Sequence, residues 1–184
     1  SSHADLAIGA NDDFTLEYFI FFADITSDQI VLGGRGDAAN DYPNGTFLVM
    51  SVSGETDYQG NTRDTPTTGK VNFTNHPGTL STLQSNETMV TGAWNHIAVV
   101  RSSGTVNLYL NGTRQTANYT NNTVVTTQVP WKIGDIHHPT AFPNLQLKNP
   151  ISNFRYVKGT AVYSGSSFTV PTSPLTAITN TKLL

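Results

Sequence analysis

Along residues 94–112, WNHIAVVRSSGTVNLYLNG, apolar and polar positions alternate with a period of two. Val106, Leu108 and Leu110 fall on one face, and Asn107, Tyr109 and Asn111 on the other. Ser102-Ser103-Gly104 and Asn111-Gly112 punctuate the run as turns. Alternation joined by short Gly-containing links predicts an antiparallel β-hairpin with one buried face. The β-branched Val99, Val100, Thr105 and Val106, together with Gly104 and Gly112, are incompatible with a helix. Trp94 is large enough to mark where the first strand enters a core.

The other strands are read around this hairpin. Over Phe14–Ala23, Phe14, Leu16, Tyr18, Ile20 and Phe22 alternate with Thr15 and Glu17, and then both faces turn apolar. That pattern predicts a central strand, buried on both sides at its apolar end. Residues 1–8 are expected to form an edge or closing strand. Shorter strands are expected over 29–32, 46–52, 70–74 and 131–134, with a strong one over 151–158. Residues 179–184 are expected to pair back with the N-terminal region. Turn formers crowd 33–45, 53–68, 75–87 and 135–149, which read as loops; 116–127 is rich in Asn and Thr. No internal repeat or amphipathic helix interrupts the series. The expected fold is all-β, a two-sheet antiparallel jelly-roll sandwich forming a single domain over 1–184.

Three blocks carry a family resemblance. Trp94-Asn95-His96-Ile97-Ala98-Val99-Val100-Arg101 followed by Leu108-Tyr109-Leu110-Asn111-Gly112 resembles the central hairpin of laminin-G-like domains. Those domains belong to the concanavalin A-like lectin/glucanase jelly rolls. Asp13-Phe14-Thr15-Leu16-Glu17-Tyr18 is similar to the strand that opens that fold. Residues 151–163, ISNFRYVKGTAVY, and 168–175, FTVPTSPL, resemble the C-terminal signature of laminin-G-like modules in bacteriophage virion proteins. The resemblance implies the jelly roll and a viral source. The chain has no cysteine, whereas eukaryotic extracellular laminin-G modules usually carry a disulfide, so a bacterial or viral origin is expected.

Composition narrows the partners. Only 12% of the residues are charged and the net charge is −3, which leaves no electrostatic footprint for nucleic acid. No apolar run is long enough to span a membrane as a helix, the longest being Tyr18–Ala23. The sequence opens Ser1-Ser2-His3, with no initiator Met or signal-peptide pattern. It is expected to be a processed product, an excised fragment or part of something longer.

Because the resembled fold hosts glucanases, catalysis is tested first. Their Glu-x-Asp-x-(x)-Glu strand sets alternate carboxylates on one face at the spacing retaining hydrolysis needs. The nearest match is Glu55-Thr56-Asp57-Tyr58-Gln59-Gly60, where Gln59 replaces the second acid and removes the proton donor. No Gly-x-Ser-x-Gly or other nucleophile context is present. The expectation is a protein that is not an enzyme.

The resemblance further implies a Ca²⁺ site at the sandwich rim. Asp37, Asn40 and Asp41 in one loop and Asp135 in another supply the hard oxygen ligands Ca²⁺ takes, although Asp and Asn also populate loops simply as turn residues. His137-His138 lie beside Asp135, but neighbours on an extended chain face opposite ways and rarely share a Zn²⁺. They are read as a surface pair lining a groove, and His96 as a hydrogen-bonded structural residue. Aromatic platforms for sugars are sought among Tyr42, Tyr58, Tyr119 and Trp131, with Trp131 equally able to plug the core. Tyr42, Trp131, His137 and His138 are the candidate glycan-binding set. Arg35-Gly36-Asp37 spells an integrin motif made of common loop residues and is set aside. The Asn-x-Ser/Thr sequons at Asn44, Asn72, Asn86, Asn111, Asn118 and Asn121 follow from abundant Asn and Thr.

The functional expectation is a non-catalytic module on a virion surface, in a tail fibre or a capsid decoration, contacting host cell-surface glycans through rim loops around 37–42 and 135–138. Partners would be those glycans, other virion proteins and further copies of itself, since a homo-oligomer supplies avidity. Two alternatives stand beside it: a purely structural packing module of a capsid or fibre, and a secreted bacterial adhesin or polysaccharide-binding domain.

Overall fold

The computed structural model describes residues 4–9, 11–23, 29–34, 46–51, 69–75, 81–120, 131–135 and 146–184. The strands are β1 (Phe14–Phe22), β2 (Gln29–Gly34), β3 (Thr46–Ser51), β4 (Lys70–Asn75), β5 (Ser81–Gln84), β6 (Ala93–Ser102), β7 (Thr105–Leu110), β8 (Thr113–Thr120), β9 (Lys132–Ile133), β10 (Ile151–Lys158) and β11 (Thr181–Leu183). They form two sheets, ordered β11-β10-β1-β6-β7-β8 and β5-β4-β3-β2-β9. Each strand pairing is antiparallel. The all-β two-sheet fold expected from the sequence is the fold observed.

The central hairpin forms as its alternation dictates. Ser102 pairs with Thr105 and Leu110 with Thr113, so β6-β7 and β7-β8 are each joined by two residues. Both linkers have two positive φ angles, 48° and 85° at Ser103-Gly104 and 49° and 78° at Asn111-Gly112. This is the type I′ geometry whose twist matches that of the flanking strands.

Between the sheets, Phe14, Leu16, Tyr18, Ile20 and Phe22 of β1 are buried with Ile97, Val99, Val106, Leu108 and Leu110 from the hairpin. Val31 and Leu32 of β2, Val71 and Phe73 of β4 and Leu83 of β5 belong to the same cluster, as do Ile8, Met89, Phe154 and Tyr156. Each such side chain contributes about 1.5–3 kcal/mol by leaving water.

The six-stranded sheet also has a covered outer face. After β10 the chain turns at Gly159, whose N–H donates to the Asp13 carbonyl (2.6 Å). Residues 160–176 then cross the sheet as a strap. Thr15 Oγ1 donates to the Thr160 carbonyl (3.0 Å) and accepts from Val162 N (2.8 Å). Further along, Arg114 N donates to Ser166 O and Phe168 N to Gly112 O, each at 2.9 Å. The return leg is tied where Leu175 N donates to Asn153 Oδ1 (3.1 Å) and Arg155 Nη1 to Thr176 O (2.8 Å). Ala98, Val100 and Tyr109 form a second small core beneath this strap with Ala161, Tyr163 and Phe168. Tyr109, expected on a solvent face, is therefore 1% exposed.

Several expectations are corrected. Residues 4–6 form a 3₁₀ turn in place of an edge strand. β5 lies inside the stretch read as a loop, and β8 lies within and before the Asn/Thr-rich stretch, because pairing with β4 and β7 outweighs polar composition. β11 pairs with β10 rather than with the N-terminal region, to which a Lys182–Asp5 ion pair at 3.4 Å also joins it. Two-sided burial in β1 falls at Phe14–Tyr18, the end bearing Thr15 and Glu17, because the strap lies there. Trp94 does not enter the core and is 50% exposed.

Gly112 is the seat of the strap. A Cβ there would collide with the Phe168 carbonyl oxygen, and its φ of 78° disfavours any other residue. Gly112→Ala is expected to destabilise the fold by about 2 kcal/mol or more, read as a lower urea midpoint.

Candidate functional site

Two constructions occupy the outer face of the six-stranded sheet, one buried and one open. Along β1 the outward residues are Thr15, Glu17, Phe19 and Phe21, paired across β6 with Val100, Ala98, His96 and Trp94. The first two lie under the strap and the last two lie beyond it.

Glu17 is fully buried at the centre of an ionic cluster. Its Oε1 accepts from Arg155 Nε (2.8 Å) and Nη2 (2.5 Å). Its Oε2 accepts from the Tyr163 hydroxyl (2.7 Å) and meets His96 Nε2 (3.0 Å). A carboxylate can only accept, so His96 donates to it from Nε2; Nδ1 is buried with no hydrogen-bond partner among the described residues. Burial pushes the Glu17 pKa up, but hydrogen bonds from His96, Tyr163 and Arg155 and the guanidinium charge outweigh it and hold it below the ordinary value. Burial, reinforced by Glu17, raises the Tyr163 phenol well above its usual range. Tyr163 stacks on Phe168 at 3.7 Å and 6°, and Phe168 in turn meets the His96 ring edge-on at 5.6 Å. Both Glu17 oxygens are thus committed to protein donors, and the cluster contains no second carboxyl group. It anchors the strap and is not an acid–base pair.

Where the strap returns, an open groove of about 340 Å³ is lined by Phe19, Trp94, Ser152, Asn153, Pro171, Thr172, Ser173 and Pro174. The Trp94 ring meets Phe21 edge-on at 5.7 Å and 68°, which orients the indole without burying it. Phe19 packs against His96 at 4.7 Å, joining the groove to the ionic cluster. Asn153, in the left-handed region at φ 53°, donates from Nδ2 to Ser152 Oγ (3.1 Å) while its Oδ1 holds Leu175 N. The arrangement can bury one apolar ligand face against indole and offer hydroxyls and an amide to its edges.

The residues singled out from the sequence fall elsewhere. Trp131 packs against the core, its ring 4.9 Å from that of Tyr156. Asp135 follows β9 after Gly134, which donates to Val31 O (2.8 Å) and accepts from Leu147 N (2.9 Å). Tyr42, His137, His138, Asp37, Asn40 and Asp41 lie outside the described residues, as do the Glu55–Gly60 stretch and Arg35-Gly36-Asp37. Of the Ca²⁺ ligand set only Asp135 is described, and no group of three or more His, Asp or Glu side chains suited to a metal occurs among the described residues. His96 is the hydrogen-bonded structural residue expected. Glu17, Arg155, Tyr163 and the Trp94 groove were not singled out. For Trp94 the signal was parity, since Trp94, His96 and Ala98 share the face opposite Ile97 and Val99; Tyr163 lies in a segment with no strand pattern to mark it.

Residues 2–143 match the laminin G type of the concanavalin A-like lectin/glucanases superfamily. The chain belongs to that superfamily. Solved structures share its fold at low identity. A putative carbohydrate-binding protein from Bacteroides ovatus superposes with a TM-score of 0.60 at 17% identity, covering 82% of this chain and 38% of that one. Domain 4 of AbnA, a GH43 extracellular arabinanase from Geobacillus stearothermophilus in complex with arabinotriose, gives 0.57 at 18%, covering 86% and 65%. The enzymatically active domain of bacteriophage CBA120 tailspike protein 2 gives 0.51 at 13%, covering 84% and 23%. This laminin-G-like chain thus spans less than two thirds of each of these. No protein of curated function is significantly similar to it.

Removing the Glu17 charge tests the anchor. Glu17→Gln leaves the buried Arg155 without its counter-ion and is expected to destabilise the fold by about 3–5 kcal/mol at neutral pH. Because the folded pKa lies below the ordinary 4.5, the pair's contribution is complete above that value and is lost as pH falls through the folded pKa. The urea midpoint of the wild type should therefore drop from about pH 5 to about pH 3 more steeply than that of the variant.

Proposed function

We propose that this protein is a non-catalytic carbohydrate-binding module working outside the cell, displayed on a virion surface as part of a tail fibre or capsid decoration. The observation that carries the reading is the half-exposed indole of Trp94 over a groove edged by Ser152, Asn153, Thr172 and Ser173. An aromatic face beside uncharged hydroxyls and amides is what a sugar ring, apolar on its faces and polar at its rim, requires. Superfamily membership supports it, as do two structures sharing the fold, a putative carbohydrate-binding protein and an arabinanase domain in complex with arabinotriose. The virion setting draws on the C-terminal resemblance at 151–175 and on the occurrence of this fold in a phage tailspike. The non-catalytic reading draws on Gln59 standing where the second acid of the glucanase pattern would be, and on Glu17, whose oxygens are engaged by protein donors and shielded from solvent.

Asp37, Asn40, Asp41 and Asp135 remain the proposed Ca²⁺ ligands, with Tyr42, His137, His138 and the part of Trp131 that the core leaves uncovered as further glycan contacts. Repeated copies on a symmetric particle would add avidity to a shallow site. A glycan-array screen of the purified protein, with and without EDTA, is expected to give binding without release of reducing sugar. Loss of binding on chelation would assign Ca²⁺ a part. Failure to bind any glycan would move the protein to the structural packing class, and cleavage would refute the non-catalytic reading.

A further inference from the structure

We infer that the Trp94 groove selects an uncharged glycan, one or two neutral sugar rings stacked on the indole, over sialylated, uronic or sulfated ones. This rests on the carbohydrate-binding reading and narrows its ligand class.

Charge comes first. None of the eight lining residues is ionisable. Anionic sugars are recognised by charge-assisted hydrogen bonds, above all from Arg forks matched to carboxylate or sulfate. The basic residue closest in sequence to the groove on β10 is Arg155, two positions beyond Asn153. It is 5% exposed, spends Nε and Nη2 on Glu17, and donates Nη1 to the Thr176 carbonyl. The guanidinium is turned to the cluster beneath the strap. An anion in the groove would lose hydration without gaining a cationic partner among the described residues that line it.

Shape agrees with this. At about 340 Å³ the groove stands near the small end of ligand sites, which run from about 300 to 1,000 Å³. Its wall is held in place before any ligand arrives. Pro171 and Pro174 restrict φ on the strap side, and Leu175 N is tied to Asn153 Oδ1 across the groove. Phe21 holds the indole edge-on. A preformed site of this kind spends little of its binding energy on ordering itself. The exposed hydroxyl-bearing residues Ser152, Thr172 and Ser173 then match sugar hydroxyls rather than charges.

The test is calorimetric titration of the whole protein with arabinotriose and cellotetraose as neutral probes, and sialyllactose and a galacturonate oligomer as acidic ones. At least one neutral probe is expected to bind with an affinity that hardly changes on raising salt. Trp94→Ala should weaken it by about tenfold or more, and Trp94→Phe by less. Since Trp94 stands outside the core, an unchanged urea midpoint in both variants shows that the loss is local. Thr172→Lys, which adds the cation the groove lacks, should raise the affinity for an acidic probe in a salt-sensitive way; no gain would overturn the argument from charge. Tighter, salt-sensitive binding of an acidic probe that depends on Trp94 would overturn the neutral assignment while leaving the carbohydrate reading intact. Glycan binding untouched in Trp94→Ala would overturn the groove as the site. Absence of binding to any glycan in the array and to all four probes would end both.

Discussion

Everything on the outer face of the six-stranded sheet depends on one buried charge pairing, Glu17 with Arg155. A carboxylate in the middle of a central strand is strongly disfavoured unless both oxygens find donors. β10 brings Arg155 directly opposite Glu17, and β6 brings His96 opposite Phe19, two positions further along on the same face. The last donor, the Tyr163 hydroxyl, comes from the strap. Satisfying the acid and laying the strap down are therefore one event. The strap cannot lift at Tyr163 without stripping a hydrogen bond from a buried carboxylate. Its return leg is tied to the same pair, because Arg155 also holds the Thr176 carbonyl. The open groove inherits its wall from that anchor, although no member of the anchor lines it.

Much of the fold was legible because alternation is a local property. The hairpin, β1 and β10 combine period-two stretches with strong β-formers, and both turns carry the Gly that type I′ geometry needs. β5 and β8 were not legible, since Ser81–Gln84 and Thr113–Thr120 are polar segments that become strands by docking on β4 and β7. β11 was misdirected for a related reason: three residues at the edge of a sheet hold too little pattern to name their partner. The site was the least legible part. Parity alone sets Trp94 on the face opposite Ile97 and Val99, but size argued for the core, and parity does not say which outward residues a distant segment will cover. That segment, 160–176, lacks any strand pattern. Its effect is seen only in three dimensions, where it buries Tyr109 and leaves Trp94 open.

Polarity along the outward side of β1 is inverted relative to burial. Thr15 and Glu17 are completely buried, whereas Phe19 and Phe21 are only partly so, with Trp94 half-exposed beside them. The strap accounts for the first half, since it supplies hydrogen-bond partners to both polar side chains. Nothing in the packing requires the second half. Three aromatic residues clustered at the surface forgo burial energy that a slightly longer strap would recover, and a contiguous exposed apolar patch rimmed by polar groups is the usual form of a binding surface.

The sparse charge of the whole chain bears on how such a surface would work. With 12% charged residues and a net charge of −3, long-range steering contributes little to encounter with a ligand. Contact must then rest on short-range terms: desolvation of the indole face, and hydrogen bonds to hydroxyls at the groove's edge. Those terms give modest affinity per site and little dependence on ionic strength. A shallow, preformed and uncharged site gains strength by repetition rather than by deepening, because linked copies convert later contacts into intramolecular ones. On the proposed reading, display in many copies is the setting in which this geometry would be effective, and the strap anchored on Glu17 would let each copy carry its groove ready-made.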